Sequence, residues 1–261
     1  GLNRRQMLEY QEQVLMDCRE ERSSIVTGQM NLFGGESEAV RETPIPSLPE
    51  LERSALLQLE HESLGLYLSG HPLEQSQWLR QLCRATPAAA LSEQPDGGKV
   101  LLIVTLQHVK QHTTKKGETM CFLTCEDQSG SADCVVFPAL YNSVKPYLQQ
   151  DAVLYLRGKI SQKENAVSVL CDSVLQEEAF FRTLPQGRLC VKIDSRQTAE
   201  LQQLLAVIGQ HAGNVPVCFY LTDRKKMLSP RGGQAVAVNS ESYAALCAVV
   251  SPEQVGFLPP A

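Results

Sequence analysis

Five lysines and one phenylalanine carry the pattern best suited to chemistry in this sequence. Lys115 and Lys116 lie in the polar run QHTTKKG (111–117), with Lys110 just before it. Lys163 lies in SQKEN (161–165), with Lys159 just before it. Ammonium groups on two such loops can follow a row of phosphates, with an affinity that falls as salt rises. They can also be ordinary solvated loop tips, and spacing alone leaves both readings open. Between the two loops lies the alternating run around Phe122. Met120, Phe122 and Thr124 share one side of it, and Cys121, Leu123 and Cys125 share the other. Phe122 stacks a base if its side faces out and is core if it faces in.

Other chemistry is missing. The sequence has no H-E-x-x-H, no G-x-S-x-G, no P-loop and no dinucleotide-binding glycine pattern. No catalytic residue and no metal ligand is assigned. Paired carboxylates for two-metal phosphoryl chemistry are absent. Asp127 and Asp133 flank the turn DQSG, where Asp favours local backbone hydrogen bonds. His71 precedes Pro72 at the end of an expected helix, which suits capping or packing. Nine cysteines, none in a C-x-x-C pair, argue against a disulfide framework and a zinc site. Most lie in apolar runs as small buried hydrophobes, and a reducing cytoplasm is the expected home. No run of 18 apolar residues marks a membrane span. The N-terminus has no signal-peptide pattern, and it lacks an initiator Met, as a piece of something longer would.

A second feature is the octapeptide GQMNLFGG (28–35). It places Leu32 and Phe33 side by side in a stretch with no helical or strand period. Short linear motifs bind through a few apolar anchors on a flexible tether, and Gln29, Met30, Asn31, Leu32 and Phe33 fit that form. The alternative is that Leu32 and Phe33 tuck back onto their own domain.

The elements that must position these residues follow from periodicity. With 261 residues and 43% hydrophobic content the chain can build two domains or more. Residues 1–96 carry 8 basic and 15 acidic side chains, whereas 97–176 and 177–261 carry 8 and 7 each, so the acidic excess sits in the first third. Residues 1–22 read as a helix with Leu8, Gln11, Leu15 and Cys18 on one face. Residues 23–50 read as a linker containing the 29–33 motif and three prolines. A helix is expected over 50–68 with a stripe of Leu56, Leu59, Leu64 and Leu68. Gly70 is its expected left-handed cap and Pro72 its stop. A short helical stretch at 73–83 completes a helical connector over 51–96, closed by the break SEQPDGG (92–98).

From residue 97 the period changes to two. Strands are expected at 100–110, 118–126, 131–137, 152–160 and 166–171, with a helix at 138–149 between the third and fourth. That order, over 97–176, is the order of an OB-fold, a five-stranded barrel that binds single strands across its second and third strands between the loops after strands one and four. Residues 187–258 read as a small βαββαβ unit. Its strands fall at 188–193, 215–221, 234–238 and 254–258, with a short strand before the third. Its helices fall at 197–211 and 240–250, the latter with Ser240 as N-cap. The fold class is α+β and multidomain.

Three landmarks resemble one family. QMNLF is similar to the pentapeptide with which bacterial replication proteins bind the sliding clamp. LGLYLSGHPLE (64–74) and GETMCFLTCEDQSGSADCVVFP (117–138) resemble segments of the bacterial DNA polymerase III alpha subunit, the C-family replicative polymerase. The order agrees as well, from the end of a helix-hairpin-helix region (GLNRRQML) through the clamp motif and barrel to a small C-terminal domain. The resemblance implies a C-terminal piece of a nucleotidyltransferase that uses Mg2+, with the polymerase active site upstream and no cofactor or activity in this piece. It implies clamp binding through Gln29, Leu32 and Phe33, and single-stranded template binding by the barrel. In some relatives the C-terminal part meets the clamp-loader tau subunit, but no motif here carries that to residues. The other reading is a stand-alone OB-fold nucleic-acid-binding protein with no clamp partner.

Overall fold

The computed structural model describes residues 2–26, 45–163, 166–230 and 232–260, except the side chains of 20–26 and 54. The motif residues Gln29, Met30, Asn31, Leu32 and Phe33 lie outside the described residues. The chain divides into two units, 1–69 and 70–261.

In the first unit, helix α1 spans Arg4–Val26, four residues past the expected end at 22. Asn3 and Gln6 close its first turn by exchanging hydrogen bonds, 2.9 and 3.0 Å. The Glu50 carboxylate accepts from the Arg4 and Arg5 amides, both at 3.1 Å, and so places negative charge at the positive helix end. The expected apolar face is not buried. Leu8, Leu15 and Cys18 are exposed, while Gln6 is buried.

Helix α2 (Arg53–Leu64) is shorter than expected. Gly65, not Gly70, holds the left-handed cap, with φ 72° and its N–H donating to the His61 carbonyl at 2.8 Å. Leu68 therefore leaves the helix and is 70% exposed, and the buried leucine is Leu57. Glu60 then gathers the segment after the helix. Its carboxylate accepts from the Leu68 and Ser69 amides and from the Ser69 hydroxyl, and pairs with Arg4 at 3.1 Å.

The second unit opens with a 3-10 turn at Pro72–Glu74, capped by His71 Nδ1, which accepts from the Leu73 amide at 3.1 Å. His71 thus caps the start of this turn, not the end of the expected helix. Helix α3 follows (Gln77–Cys83), then a 3-10 stretch at Ala88–Glu93. The expected break at 92–98 therefore falls inside this unit. Asp127 binds these pieces to the barrel. Its Oδ2 pairs with Arg80 of α3 and accepts from the Ala88 amide at 3.2 Å, and its Oδ1 accepts from the Ser129 amide at 2.7 Å. Burial opposes ionisation of Asp127, but the Ser129 hydroxyl and amide, the Ala88 amide and Arg80 outweigh it and hold the carboxyl below its usual range.

The barrel comprises β1 (Lys99–Thr113), β2 (Thr119–Asp127), β3 (Gly130–Val136), β4 (Val153–Lys163) and β5 (Ala166–Leu175), closed in the order β1-β2-β3-β5-β4. Helix α4 (Pro138–Val144) sits between β3 and β4, as the sequence predicts. The register of β1 shifts between Leu106 and His108. Lys99–Thr105 pair with β4 and Thr105–Thr113 pair with β2, so one strand serves both sides. Leu102, Val104, Leu106, Cys121, Leu123, Leu154, Leu156 and Val169 fill the interior. Two expected loops are shorter than read. Gln111–Thr113 belong to β1, and Ser161–Lys163 to β4.

Helix α5 (Glu177–Thr183) was not expected. It buries Phe180, which stacks on Tyr155 at 4.6 Å between ring centres, and the Arg157 guanidinium lies 5.5 Å from the Phe180 ring centre. The remaining elements are β6 (Arg188–Ile193), α6 (Thr198–Gln210), β7 (Ala212–Leu221), β8 (Lys226–Leu228), β9 (Ala235–Val236), α7 (Ser240–Val249) and β10 (Val255–Leu258). Their sheet runs β10-β6-β7-β8, with β9 paired to β7. Asn239, not Ser240, caps α7 by accepting from the Ser242 amide at 2.8 Å.

Ile103 and Tyr155 on the barrel's outer wall share one core with Leu73, Leu79, Leu82, Phe180 and the β6–β10 module. That side of the barrel is closed. Among the described residues no helix is long and apolar enough to cross a membrane.

Candidate nucleic-acid interface

Directly opposed residues in neighbouring strands point to the same face. The register therefore traces one row across the barrel wall. Lys110 on β1 opposes Phe122 on β2, Phe122 opposes Val135 on β3, Val135 opposes Leu170 on β5, and Leu170 opposes Lys159 on β4. Cys121, Leu123 and Cys125 are buried in the interior, so this row faces outward. Phe122 is 43% exposed, which decides the question left open by its alternation. Val135 is buried beside the ring, Leu170 is half-buried, and Lys110 and Lys159 are exposed. The row runs around the closed barrel, and Lys110 and Lys159 lie on the neighbouring strands β1 and β4, with Lys159 opposite Lys99 on β1.

The flanks are also informative. The His112 ring meets Phe122 edge-on at 6.2 Å. Lys115 and Lys116 are exposed on the turn Thr114–Gly117, which Thr114 and Gly117 close with backbone hydrogen bonds of 2.8 and 2.9 Å. Gly117 adopts φ 78°, a conformation that favours glycine. Lys163 ends β4 opposite Ala166, and Lys99 opposes Lys159 as a further exposed cation. Two acids intrude: Asp133 opposes Thr124 in the next outer row, and Glu118 follows the lysine turn, both exposed.

Sequence reasoning missed Phe137. It follows β3 two residues after Val135 and is 45% exposed. With Gly117, Thr119, Pro138 and Asn142 it lines a cavity of about 580 Å³ beside the lysine turn. The signal was the pair Phe137-Pro138: a helix-starting proline ends the strand, so the preceding aromatic lies at the rim. Phe137 is thus a second exposed aromatic on the barrel.

No other chemistry competes at this wall. Among the described residues no group of three or more His, Cys, Asp or Glu could hold a metal ion. The cysteines are free, and burial pushes the Cys121 thiol up to about 11.

The family model described as an OB-fold nucleic acid binding domain matches residues 100–176. The DNA polymerase III alpha subunit of Bacillus subtilis is 29% identical over 204 residues, covering 77% of this chain and 18% of that protein. Over most of its length this chain is similar to the DNA polymerase III alpha subunit. The alpha subunit of Thermus aquaticus is 29% identical over 220 residues, covering 82% of this chain and 18% of that one. That of Pseudomonas aeruginosa is 28% identical over 236 residues, covering 87% and 20%. The chain thus spans about a fifth of the length of these alpha subunits. Among solved structures, a domain of replication protein A from Methanococcus maripaludis is 12% identical, covers 33% of this chain and 89% of that one, and has a TM-score of 0.28.

Proposed function

We propose that this chain is the region of a replicative polymerase alpha subunit that holds single-stranded template DNA on its barrel and the sliding clamp through QMNLF. The observation that carries the DNA reading is the outward, exposed Phe122 opposite the exposed Lys110. Bases stack on aromatic faces without regard to sequence, and lysines beside them neutralise the backbone. Duplex DNA keeps its bases stacked inside, so the wall favours single strands. Fluorescence anisotropy with a labelled oligothymidylate and a duplex of equal length tests this. Tighter binding of the single strand supports it, and equal or weaker binding contradicts it.

In the clamp reading, Gln29 hydrogen-bonds at a pocket rim while Leu32 and Phe33 fill an apolar pocket. Five residues bury little area, so affinity alone is weak. Coupled to a polymerase already holding DNA, the peptide acts at high effective concentration. Leu32→Ala with Phe33→Ala should abolish retention on immobilised clamp without changing the circular dichroism spectrum. Unchanged retention would remove the clamp from the proposal. Nucleotide transfer is assigned to other parts of the parent polymerase, together with its Mg2+, so a primer-extension assay on this chain should give no product.

A further inference from the structure

The β6–β7 pair carries two cysteines that the DNA-binding reading does not use. Leu189, Val191 and Ile193 on β6, and Val217, Phe219 and Leu221 on β7, point into the helical core. Cys190 and Cys218 alternate with these, so they face the other side of the sheet, and the two are direct register partners. Neighbouring strands run about 4.8 Å apart, inside the 4.4–6.8 Å range over which two Cα atoms can carry a disulfide. The surroundings are cationic. Gly256 is the partner of Cys190 on the opposite flank, and Arg84 lies over it: a Cβ there would meet the Arg84 Nε at 3.6 Å. Arg84 and Lys192 also line a cavity of about 690 Å³, with Gln81, Ser251 and Glu253. Only the Glu253 carboxylate offsets them there.

We infer that Cys190 and Cys218 form an oxidisable dithiol, with Cys190 the thiol that reacts with a hydroperoxide and Cys218 the thiol that resolves it. Three features support this division. A hydrogen bond from Cys218, then the charges of Lys192 and Arg84, draw the Cys190 thiol down to about 7 against the opposing effect of burial. The hydrogen bond to Cys190 and burial push the Cys218 thiol well above its ordinary range. Cys190 is the more accessible of the two, at 9% against 1%. The barrel thiols Cys134 and Cys171 are both raised, so they serve as internal controls.

In the first step the Cys190 thiolate attacks the distal peroxide oxygen. The O–O bond breaks, an alcohol or water leaves with a proton, and Cys190 becomes a sulfenic acid. In the second step Cys218 loses its proton and its sulfur attacks the Cys190 sulfur. The S–O bond breaks and water leaves. Two thiols lose two electrons and the peroxide gains them.

The test treats the full folded chain with hydrogen peroxide at pH 7, alkylates the remaining thiols and maps them by mass spectrometry. The expected result is a Cys190–Cys218 linked peptide, with Cys134 and Cys171 recovered as thiols. Cys218→Ser should accumulate a dimedone-reactive sulfenic acid on Cys190. Lys192→Ala should slow alkylation of Cys190 about five- to tenfold, because fewer molecules carry the thiolate. Recovery of both Cys190 and Cys218 as thiols when the exposed Cys18 has already oxidised would overturn the inference. The wild-type readout decides the matter even if a variant fails to fold.

Discussion

Phe122 shows what a single side chain contributes. Its outward position means that truncation removes a stacking surface and leaves the barrel interior intact. Phe122→Ala should therefore weaken oligothymidylate binding by about 1–3 kcal/mol, about 5- to 150-fold in Kd, with an unchanged melting temperature. A loss of stability of core size would place the ring inside instead. Phe137→Ala is expected to act in the same direction. Glu60 offers a residue-scale test of the first unit. The Ser69 hydroxyl and amide, then the Leu68 amide and Arg4, stabilise its charged form against desolvation and bring its pKa down to about 2. A carboxyl NMR titration should give a midpoint near that value. A midpoint near 4.5 would mean that the segment after α2 is not gathered as described.

At the scale of elements, the Asp127 carboxylate decides whether the α3 region belongs with the barrel. The group is 1% exposed and joins α3, the 88–93 stretch and the β2–β3 turn. Removing it leaves Arg80 without its buried partner, so Asp127→Ala should cost about 3 kcal/mol in a denaturant melt. Its folded pKa is lowered, so its contribution is fully present above the unfolded value of about 3.8 and is lost as pH falls through the folded one. An Asp127→Asn variant should therefore show a weaker loss of stability with acid than the parent. Equal acid sensitivity in both would assign the effect to other carboxylates.

The same scale shows what the sequence made legible. The barrel strands and their order followed from period-two alternation broken by turn residues, because a half-buried strand must alternate. Loop lengths were misread at Gln111–Thr113 and Ser161–Lys163, since polar residues on a two-sided strand end look like a loop. The end of α2 was misplaced because two glycines, Gly65 and Gly70, could each cap it, and only the backbone conformation chooses. Helix α5 was missed because seven residues are too few for a helical period to stand out. The lysines and Phe122 were visible as candidates, but the row that joins Lys110 to Lys159 through Phe122, Val135 and Leu170 depends on strand register. Register is a tertiary property, and no local pattern states it.

At the scale of the whole molecule, binding is a sum of charges and platforms. If Lys110, Lys115, Lys116, Lys159 and Lys163 each neutralise one phosphate, log Kd should vary with log salt with a slope of magnitude about 3.5, and each Lys→Ala should reduce it by about 0.7. A slope that the five substitutions leave unchanged would move the contact to another face. The closed side of the barrel, where Ile103 and Tyr155 join the β6–β10 core, confines the available wall to the row around Phe122. Photo-crosslinking with a bromodeoxyuridine-substituted single strand, followed by peptide mapping, measures that placement directly. The account predicts crosslinks on the peptides carrying Phe122 and Phe137, lost on competition with unlabelled oligothymidylate. Crosslinks confined to the β6–β10 module, with the barrel peptides unmodified, would contradict it.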